Sequence, residues 1–247
     1  MTDTATPTTC YSPNAQFWIR IIRERLDRYR TELTDAAVLD AIGDVDGHTV
    51  LDLGCGEGYM ARNLADRGAD VVGVDINPEL VAAAHAHEQD EPRGIDYVRG
   101  SAYDIPIGWR FDLVVMNHLA NDLDDLGQAL SEVARVLYPG GRVVMLALHP
   151  CHYYARSGLA EDDPQWVELY YQLRVREQAF NVAGIESPAP VTAYYRPLED
   201  YFAALAGNGL VVTGFSEPRP APHLMVDPWW QANFRRPMFM LLTAERR

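Results

Sequence analysis

Between Thr49 and Leu148, short continuous apolar runs alternate with segments of helical period, and no other feature constrains the fold as much. Thr49–Leu53, Val71–Asp75, Asp96–Val98, Phe111–Met116 and Arg142–Leu148 read as strands. Tyr59–Arg67, Pro78–Glu88 and Asp124–Leu137 read as helices, with Pro78 in a favoured first-turn position and Gly68 as a stop. A strand wet on one side alternates apolar and polar residues; these do not, so both of their faces are covered. Strands and helices in strict turn imply a parallel sheet between two helical layers. Pro139-Gly140-Gly141 reads as a tight turn before the fifth strand. A further helix from Pro197 to Ala206, stopped by Gly207-Asn208-Gly209, precedes two last strands, Val211–Phe215 and Pro237–Thr243. The expected fold is α/β and Rossmann-like, with a mostly parallel seven-stranded sheet and helices on both faces.

The flanks add to this core. A loose tail runs to Pro13, and Gln16 to Gly43 has a helical pattern, with Phe17, Ile21, Ile22, Leu26, Tyr29 and Leu33 on its apolar side. Thr34 is expected to cap a second helix that buries Ala37, Val38, Ala41 and Ile42. After Pro150 the alternation stops. Residues 151–195 carry Tyr153, Tyr154, Trp166, Tyr170, Tyr171, Phe180, Tyr194 and Tyr195, and they sit in sequence where a lid over the carboxyl ends of the strands belongs. The chain reads as a single domain over residues 1–247: an N-terminal helical segment (1–43), a ligand-binding core (44–150), a lid insertion (151–195) and the C-terminal part of the sheet (196–247). Trp229 and Trp230 are expected to pack the C-terminal hairpin.

The net charge of -14 disfavours nucleic acid and anionic membrane surfaces as partners and suits a small neutral or zwitterionic substrate. Cys10, Cys55 and Cys151 are far apart and show neither a disulfide framework nor zinc spacing. The start lacks a basic and apolar leader, and no run of 18 apolar residues exists, so a cytoplasmic chain is expected.

The first chemical signal is Asp52-Leu53-Gly54-Cys55-Gly56-Glu57-Gly58, directly after the first strand. Glycines there allow a sharp turn and close approach of a ligand, and the following helix offers free N–H groups. The spacing is GxGxG, unlike the GxGxxG of dinucleotide binders. Asp75 ends the next strand, where a carboxylate can accept from both hydroxyls of a ribose; its other reading is as a cap for the helix at Pro78.

In order along the chain, VLDLGCGEGY, VVGVD, GSAYDIP, FDLVVMNHLAND and VLYPGGRVVML resemble class I S-adenosylmethionine-dependent methyltransferases over about Thr49–Leu148. The resemblance implies S-adenosylmethionine as cofactor. It would set Asp52, Gly54, Cys55 and Gly56 against the methionine part, Asp75 on the ribose and Ile76 on the adenine. Ser101, Ala102 and Tyr103 would flank the adenine, with Ser101 where relatives often carry an aspartate. Asn117 and His118 would lie beside the transferable methyl.

Methyl transfer from a sulfonium needs alignment and exclusion of water; a base is needed only when the nucleophile must lose a proton. His118, with Tyr29 or Asp122, is the candidate catalytic group, on the expectation of a histidine pKa near neutrality. His149 and His152 are alternatives, and Asp122 also reads as a helix cap before Leu123. Asn117-His118-Leu119-Ala120 lacks the proline and aromatic that mark many amide and nucleobase N-methyltransferases, and no ligand cluster suggests a metal. The lid aromatics suit an aromatic substrate, although packing among themselves explains any single one as well.

The flanks YSPNAQFWIRIIRERLDRYRTELT, LHPCHYYAR and FNVAGIESPAPVTAYYRPLEDYF resemble actinomycete natural-product methyltransferases of secondary metabolism. Among these they are most similar to enzymes that methylate carbon 3 of indole in tryptophan-derived compounds and so form pyrroloindolines. The rivals are an O- or N-methyltransferase of another aromatic metabolite, an NAD-dependent oxidoreductase, and a non-catalytic cofactor-binding module. A homodimer is compatible with the sequence, and nothing in it compels one.

Overall fold

The computed structural model describes residues 12–154 and 165–247. The tail holding Cys10 and Tyr11, and the side chains of Tyr153 and Tyr154, lie outside the described residues. The apolar runs form β1 (Thr49–Leu53), β2 (Asp70–Asp75), β3 (Asp96–Arg99), β4 (Phe111–Asn117) and β5 (Leu137–Leu148). A ribbon then follows, of β6 (Arg174–Gln178), β7 (Asn181–Val182), β8 (Ile185–Glu186) and β9 (Val191–Tyr195), and the chain ends with β10 (Leu210–Ser216) and β11 (Phe239–Arg246). Seven strands make one sheet in the order β10-β11-β5-β4-β1-β2-β3, in which β11 runs antiparallel to both neighbours and β1 to β5 are parallel. From β1 the chain steps outward to β3, then returns to β4 on the other side of β1. The strand order therefore reverses between β1 and β4, and the loops leaving their carboxyl ends part to open a crevice.

The expected burial on both faces is what holds the sheet. Leu51, Leu53, Val72, Val74, Val114 and Met116 pack on one face against α5 (Leu126–Val136) and α8 (Leu198–Gly207), through Leu130, Val133, Tyr201 and Leu205. Val50, Val71, Leu113, Val115 and Val144 pack on the other against α2 (Asp35–Ile42), α3 (Tyr59–Ala65) and α4 (Pro78–Asp90). The remaining helices are α1 (Ala15–Arg23), α6 (Pro150–Tyr154), α7 (Gln165–Tyr170) and α9 (Pro228–Asn233). Among the described residues no helix is long and apolar enough to cross a membrane.

Several local expectations are corrected. The helical stretch before Gly43 is broken: α1 ends at Arg23, Arg25 has φ 55°, and Asp27 Oδ1 accepts from Tyr29 N at 3.0 Å to start a second stretch. Its first turn, Arg30–Thr34, is π-wound and runs straight into α2. Thr34 therefore has helical dihedrals (φ -77°, ψ -33°) and caps nothing, because a capping side chain needs an extended backbone. Pro139-Gly140-Gly141 does not precede the fifth strand but lies within it. Phe111 registers with Leu137 and Leu113 with Arg142, so residues 138–141 leave the ladder as a bulge. Trp229 and Trp230 share a core with Phe239 and Leu241 of the terminal hairpin, but from a helix in the connection between its strands. They sit on α9, where Trp230 is fully buried, donates from Nε1 to Glu32 Oε2 at 2.7 Å, and meets the Tyr29 ring edge-on at 5.6 Å. Residues 174–195 have more order than their sequence pattern suggests: β6 pairs with β9 and β7 with β8 in a two-stage hairpin.

Two side chains bind this ribbon to the sheet. Asn121, in the loop after β4, accepts from Leu148 N at 2.8 Å and donates to Tyr194 O at 3.1 Å. Arg196 is 4% exposed and has no carboxylate partner among the described residues; its guanidinium donates to the carbonyls of Ala120, Leu123 and Asp124 at 2.9, 2.5 and 3.2 Å. A buried cation held by three backbone dipoles fixes the path of that loop. Arg196→Met leaves the carbonyls unpaired and is expected to cost about 3 kcal/mol in urea unfolding. A loss below about 0.5 kcal/mol, the range of an ordinary surface substitution, would show that the loop is held by other means.

Candidate cofactor and active site

The candidate residues collect along one edge of the sheet because they end adjacent parallel strands. Asp52 and the glycine loop end β1, Asp75 ends β2, Ser101 to Tyr103 follow β3, and Asn117 and His118 end β4. The loop is fastened to its neighbour: Gly54 N and Cys55 N both donate to Val74 O, at 2.7 and 3.1 Å, and Gly56 N donates to Asp75 Oδ2 at 2.9 Å. Gly56 and Gly58 serve different ends. A side chain on Gly58 would fall 2.3 Å from the Tyr97 hydroxyl, so this glycine is required by packing. A side chain on Gly56, whose φ is +56°, would meet nothing within 4 Å, so its backbone faces open space.

Asp75 does not cap α4. Asn77 does, accepting from Glu79 N and Leu80 N at 2.9 and 3.1 Å, while Asp75 Oδ1 accepts from Asn77 N at 2.8 Å. Burial raises the Asp75 pKa, and the surrounding backbone N–H groups oppose that rise. Asp52 is 1% exposed, and its Oδ2 has no hydrogen-bond partner. Burial pushes its pKa up to about 7, against the backbone N–H of Ala61 and the more distant charges of Arg30 and Arg62. Cys55 is buried, and its thiol is pushed up by burial first and by Asp52 and Asp75 next, so it stays protonated. Ile76 is partly exposed beyond Asp75. The Ser101 hydroxyl accepts from Tyr103 N at 3.1 Å, and Tyr103 donates to Asp124 Oδ1 at 2.5 Å, which closes a short turn beside Ala102.

At the end of β4, Asn117 Oδ1 and His118 Nε2 are both buried atoms without a partner. His118 N donates to Leu146 O at 3.1 Å, its φ is +63°, and its ring meets Phe239 edge-on at 5.6 Å. Held left-handed, a non-glycine residue stores strain of about 1–3 kcal/mol, a cost that recurs at functional sites. The expectation of a near-neutral pKa is overturned: burial, with Arg30 adding to it, depresses His118 to about 3. Tyr29 also meets Phe239 edge-on, at 5.7 Å, and its hydroxyl donates to Asn233 O at 3.2 Å. Asp122 closes a turn by donating N–H to Leu119 O at 2.9 Å; the cap of α5 is Asp125, which accepts from Gln128 N. His149 accepts from Cys151 N at 3.0 Å and pairs with Glu217 at 3.2 Å, so it is spent on the end of β5.

Arg30 was not legible as a site residue. Its guanidinium lies 5.5 Å over the Tyr59 ring, its charge acts on Asp27, Asp35, Asp52 and His118, and it makes no ion pair among the described residues. Glu57 was also missed: it is fully buried inside the glycine loop and accepts from Arg62 at 2.6 Å and from Arg23 of α1 at 3.2 Å. A charged residue in a GxGxG loop looks solvent-facing in sequence, and only the fold brings two arginines to it.

Residues 51–145 match a family model described as a methyltransferase domain. An S-adenosylmethionine dependent methyltransferase from Mesorhizobium loti superposes with a TM-score of 0.70 at 25% identity, covering 85% of this chain and 96% of that one. A second, from Listeria monocytogenes, gives 0.69 at 23% identity, covering 86% and 96%. Among curated relatives, a ubiquinone biosynthesis O-methyltransferase of Azorhizobium caulinodans is 33% identical over 104 residues, 42% of this chain and 41% of that protein. A demethylmenaquinone methyltransferase of Beutenbergia cavernae is 36% identical over 110 residues, 44% of each. The chain thus spans about two fifths of the length of the curated relatives it matches. The matched residues hold the glycine loop at the switch point, and the chain shares its fold with S-adenosylmethionine-dependent methyltransferases.

Proposed function

We propose that this chain transfers the methyl group of S-adenosylmethionine to a small aromatic substrate, with carbon 3 of an indole in a tryptophan-derived compound as the specific acceptor. The residues present suit the cofactor. The unpartnered Asp52 Oδ2 is a buried acceptor for an ammonium group, and the backbone at Gly56 leaves room beside it. Arg30, which forms no ion pair among the described residues and whose field reaches Asp52, favours a carboxylate at the same end. Asp75 keeps lone pairs for ribose hydroxyls after its two local bonds, Ile76 offers an apolar surface for the adenine, and Ser101 to Tyr103 offer backbone groups beside it. When bound, the cofactor supplies a methyl group activated by its sulfonium.

The observation that favours carbon over oxygen is the state of His118. A histidine with a pKa of about 3 cannot hold a proton taken from a phenol at neutral pH. Indole carbon 3 is nucleophilic without prior loss of a proton, so the site needs only orientation and the exclusion of water. His118 Nε2 and Asn117 Oδ1 then orient the ring by hydrogen bonds, with Phe239 as an apolar wall. Ring closure to a pyrroloindoline follows when an N–H nitrogen of the same molecule bonds to the electrophilic carbon 2 that methylation leaves, the carbon–nitrogen π pair returns to the ring nitrogen, and the proton of the attacking nitrogen is released to solvent. Tyr29 and Asp122 support this wall and the loop beneath it. A second reading, O-methylation of a phenol, draws support from the O-methyltransferase relatives and from the field of Arg30, which favours a phenolate.

Labelled S-adenosylmethionine with a panel of indoles, tryptophan cyclodipeptides and phenols, followed by NMR of the products, separates the two. A methyl group on carbon 3 of a closed pyrroloindoline is the expected result, and a methyl on oxygen would discard it. His118→Ala is expected to slow single-turnover transfer by about tenfold or more while cofactor affinity stays within twofold. Unchanged turnover would remove His118 from the site.

Asp52 gives the cofactor site a pH dependence of known sign. Its folded pKa lies above the value of 3.8 for a free carboxyl, so its contribution to the stability of the ligand-free fold is complete below about pH 4 and is lost as pH rises through about 7. An ammonium bound to the carboxylate reverses that preference. Affinity for S-adenosylmethionine, measured by calorimetry, is therefore expected to rise from about pH 6 to about pH 8, and Asp52→Asn to be weaker by about tenfold and flat over that range. An Asp52→Asn protein with the wild-type profile would contradict the assignment.

A further inference from the structure

Asn14 occupies the N-cap position of α1, the place where asparagine is among the preferred residues, yet its side chain makes no capping bond. The amide reaches across the molecule instead. Asn14 Nδ2 donates to Ala189 O at 2.9 Å, and Ala189 N donates to Asn14 Oδ1 at 2.9 Å, a reciprocal pair between residues 175 positions apart. Asn14 is 0% exposed. Ala189 lies between the tip of the lid ribbon and β9, where the Ser187 hydroxyl also donates to Ala189 O at 3.1 Å and accepts from Phe180 N at 2.9 Å. One turn further along α1, Trp18 meets Phe180 edge-on at 5.1 Å. The start of α1 is thus joined to the lid by a two-bond amide clasp and an aromatic contact.

The rest of α1 touches the cofactor edge. Ala15 and Ile19 pack against Leu80 and Ala83 of α4, the helix that follows Asp75. Arg23, at its end, donates to Ala83 O at 3.2 Å and to Glu57 Oε2 at 3.2 Å, inside the glycine loop. A nine-residue helix therefore has one end on the lid and the other on the loop. A helix of that length is stiff, so a shift at the loop moves the clasp as well.

We propose that Asn14 is a positioning residue that couples the cofactor site to the substrate lid: occupation of the glycine loop seats α1, and α1 through the Asn14–Ala189 clasp seats the ribbon. This rests on the cofactor reading of the glycine loop. It commits the chain to an order in which the cofactor prepares the lid before an acceptor is enclosed. A structural pin alone would hold the ribbon equally with and without ligand.

Hydrogen exchange read by mass spectrometry, with S-adenosylhomocysteine as the probe, tests this on the full chain. In the wild type the probe is expected to slow exchange in peptides covering residues 51–60 and also in those covering the ribbon at 174–195. In Asn14→Ala, protection at 51–60 is expected to persist while ligand-induced protection of the ribbon falls to less than a third. Ala189→Pro removes the N–H on the other side of the clasp, leaves every residue of α1 intact, and is expected to act alike. Residue 189 already lies between Pro188 and Pro190, so its backbone is compatible with proline. Equal ribbon protection in the variants, or an unresponsive wild-type ribbon beside a protected glycine loop, would overturn the coupling. No protection at 51–60 in the wild type would overturn the cofactor reading and the coupling with it.

Discussion

The site depends on how the first two strands are joined at their carboxyl ends. Val74 O takes the N–H groups of both Gly54 and Cys55, and the carboxylate of Asp75 takes that of Gly56. These bonds hold three successive residues of a glycine-rich turn in one conformation, although glycine gives up more freedom on folding than any other residue. They also explain why the acidic residue belongs at the end of β2: before it meets any ligand it already orders the loop. The crevice between β1 and β4 exists because the strand order reverses there, and the fixed loop gives that crevice a wall.

Electrostatics in the crevice follow from burial more than from pairing. Asp52, buried, and Asp75, partly buried, lie close together with no cation bonded to either among the described residues, and desolvation holds both toward their protonated forms. His118 is held toward its neutral form by the same desolvation. The largest cationic field on Asp52 is that of Arg30, brought in by the π-wound turn before α2. A pocket that holds its carboxylates at a cost when empty is suited to a ligand that carries its own positive charges. The relief of that cost is part of the affinity.

Much of this was legible in the sequence because it rests on local rules. The continuous apolar strands, the helix signals and the order of the glycine loop, Asp75 and Asn117-His118 were sufficient to place the sheet and one edge of it. The rest depends on residues distant in sequence. Nothing in the sequence near Asn14 signals its pairing with Ala189, and Glu57 looks solvent-facing until Arg23 and Arg62 close on it. Thr34 satisfies the residue preference of a cap but not its backbone angles, because a π-turn carries the helix through it. The lid ribbon escaped notice because β6, with Arg174 and Arg176 next to an exposed Val175, lacks the apolar alternation that marks a half-buried strand. His118 looked like a base from its residue type, and only its burial beside Arg30 shows that it stays neutral.

S-adenosylmethionine is proposed to lie along the carboxyl edge formed by β1 to β4. Titration of the isotopically labelled protein with S-adenosylhomocysteine, followed by amide NMR, tests it without altering any residue. The account predicts that the largest shifts fall on Gly54, Cys55, Gly56, Asp75, Ile76, Ser101, Ala102, Tyr103 and Asn117, with saturation at one ligand per chain. Saturable shifts centred elsewhere, such as the surface groove lined by Asp124, Asp200 and Arg196, or no saturable shifts at all, would contradict it.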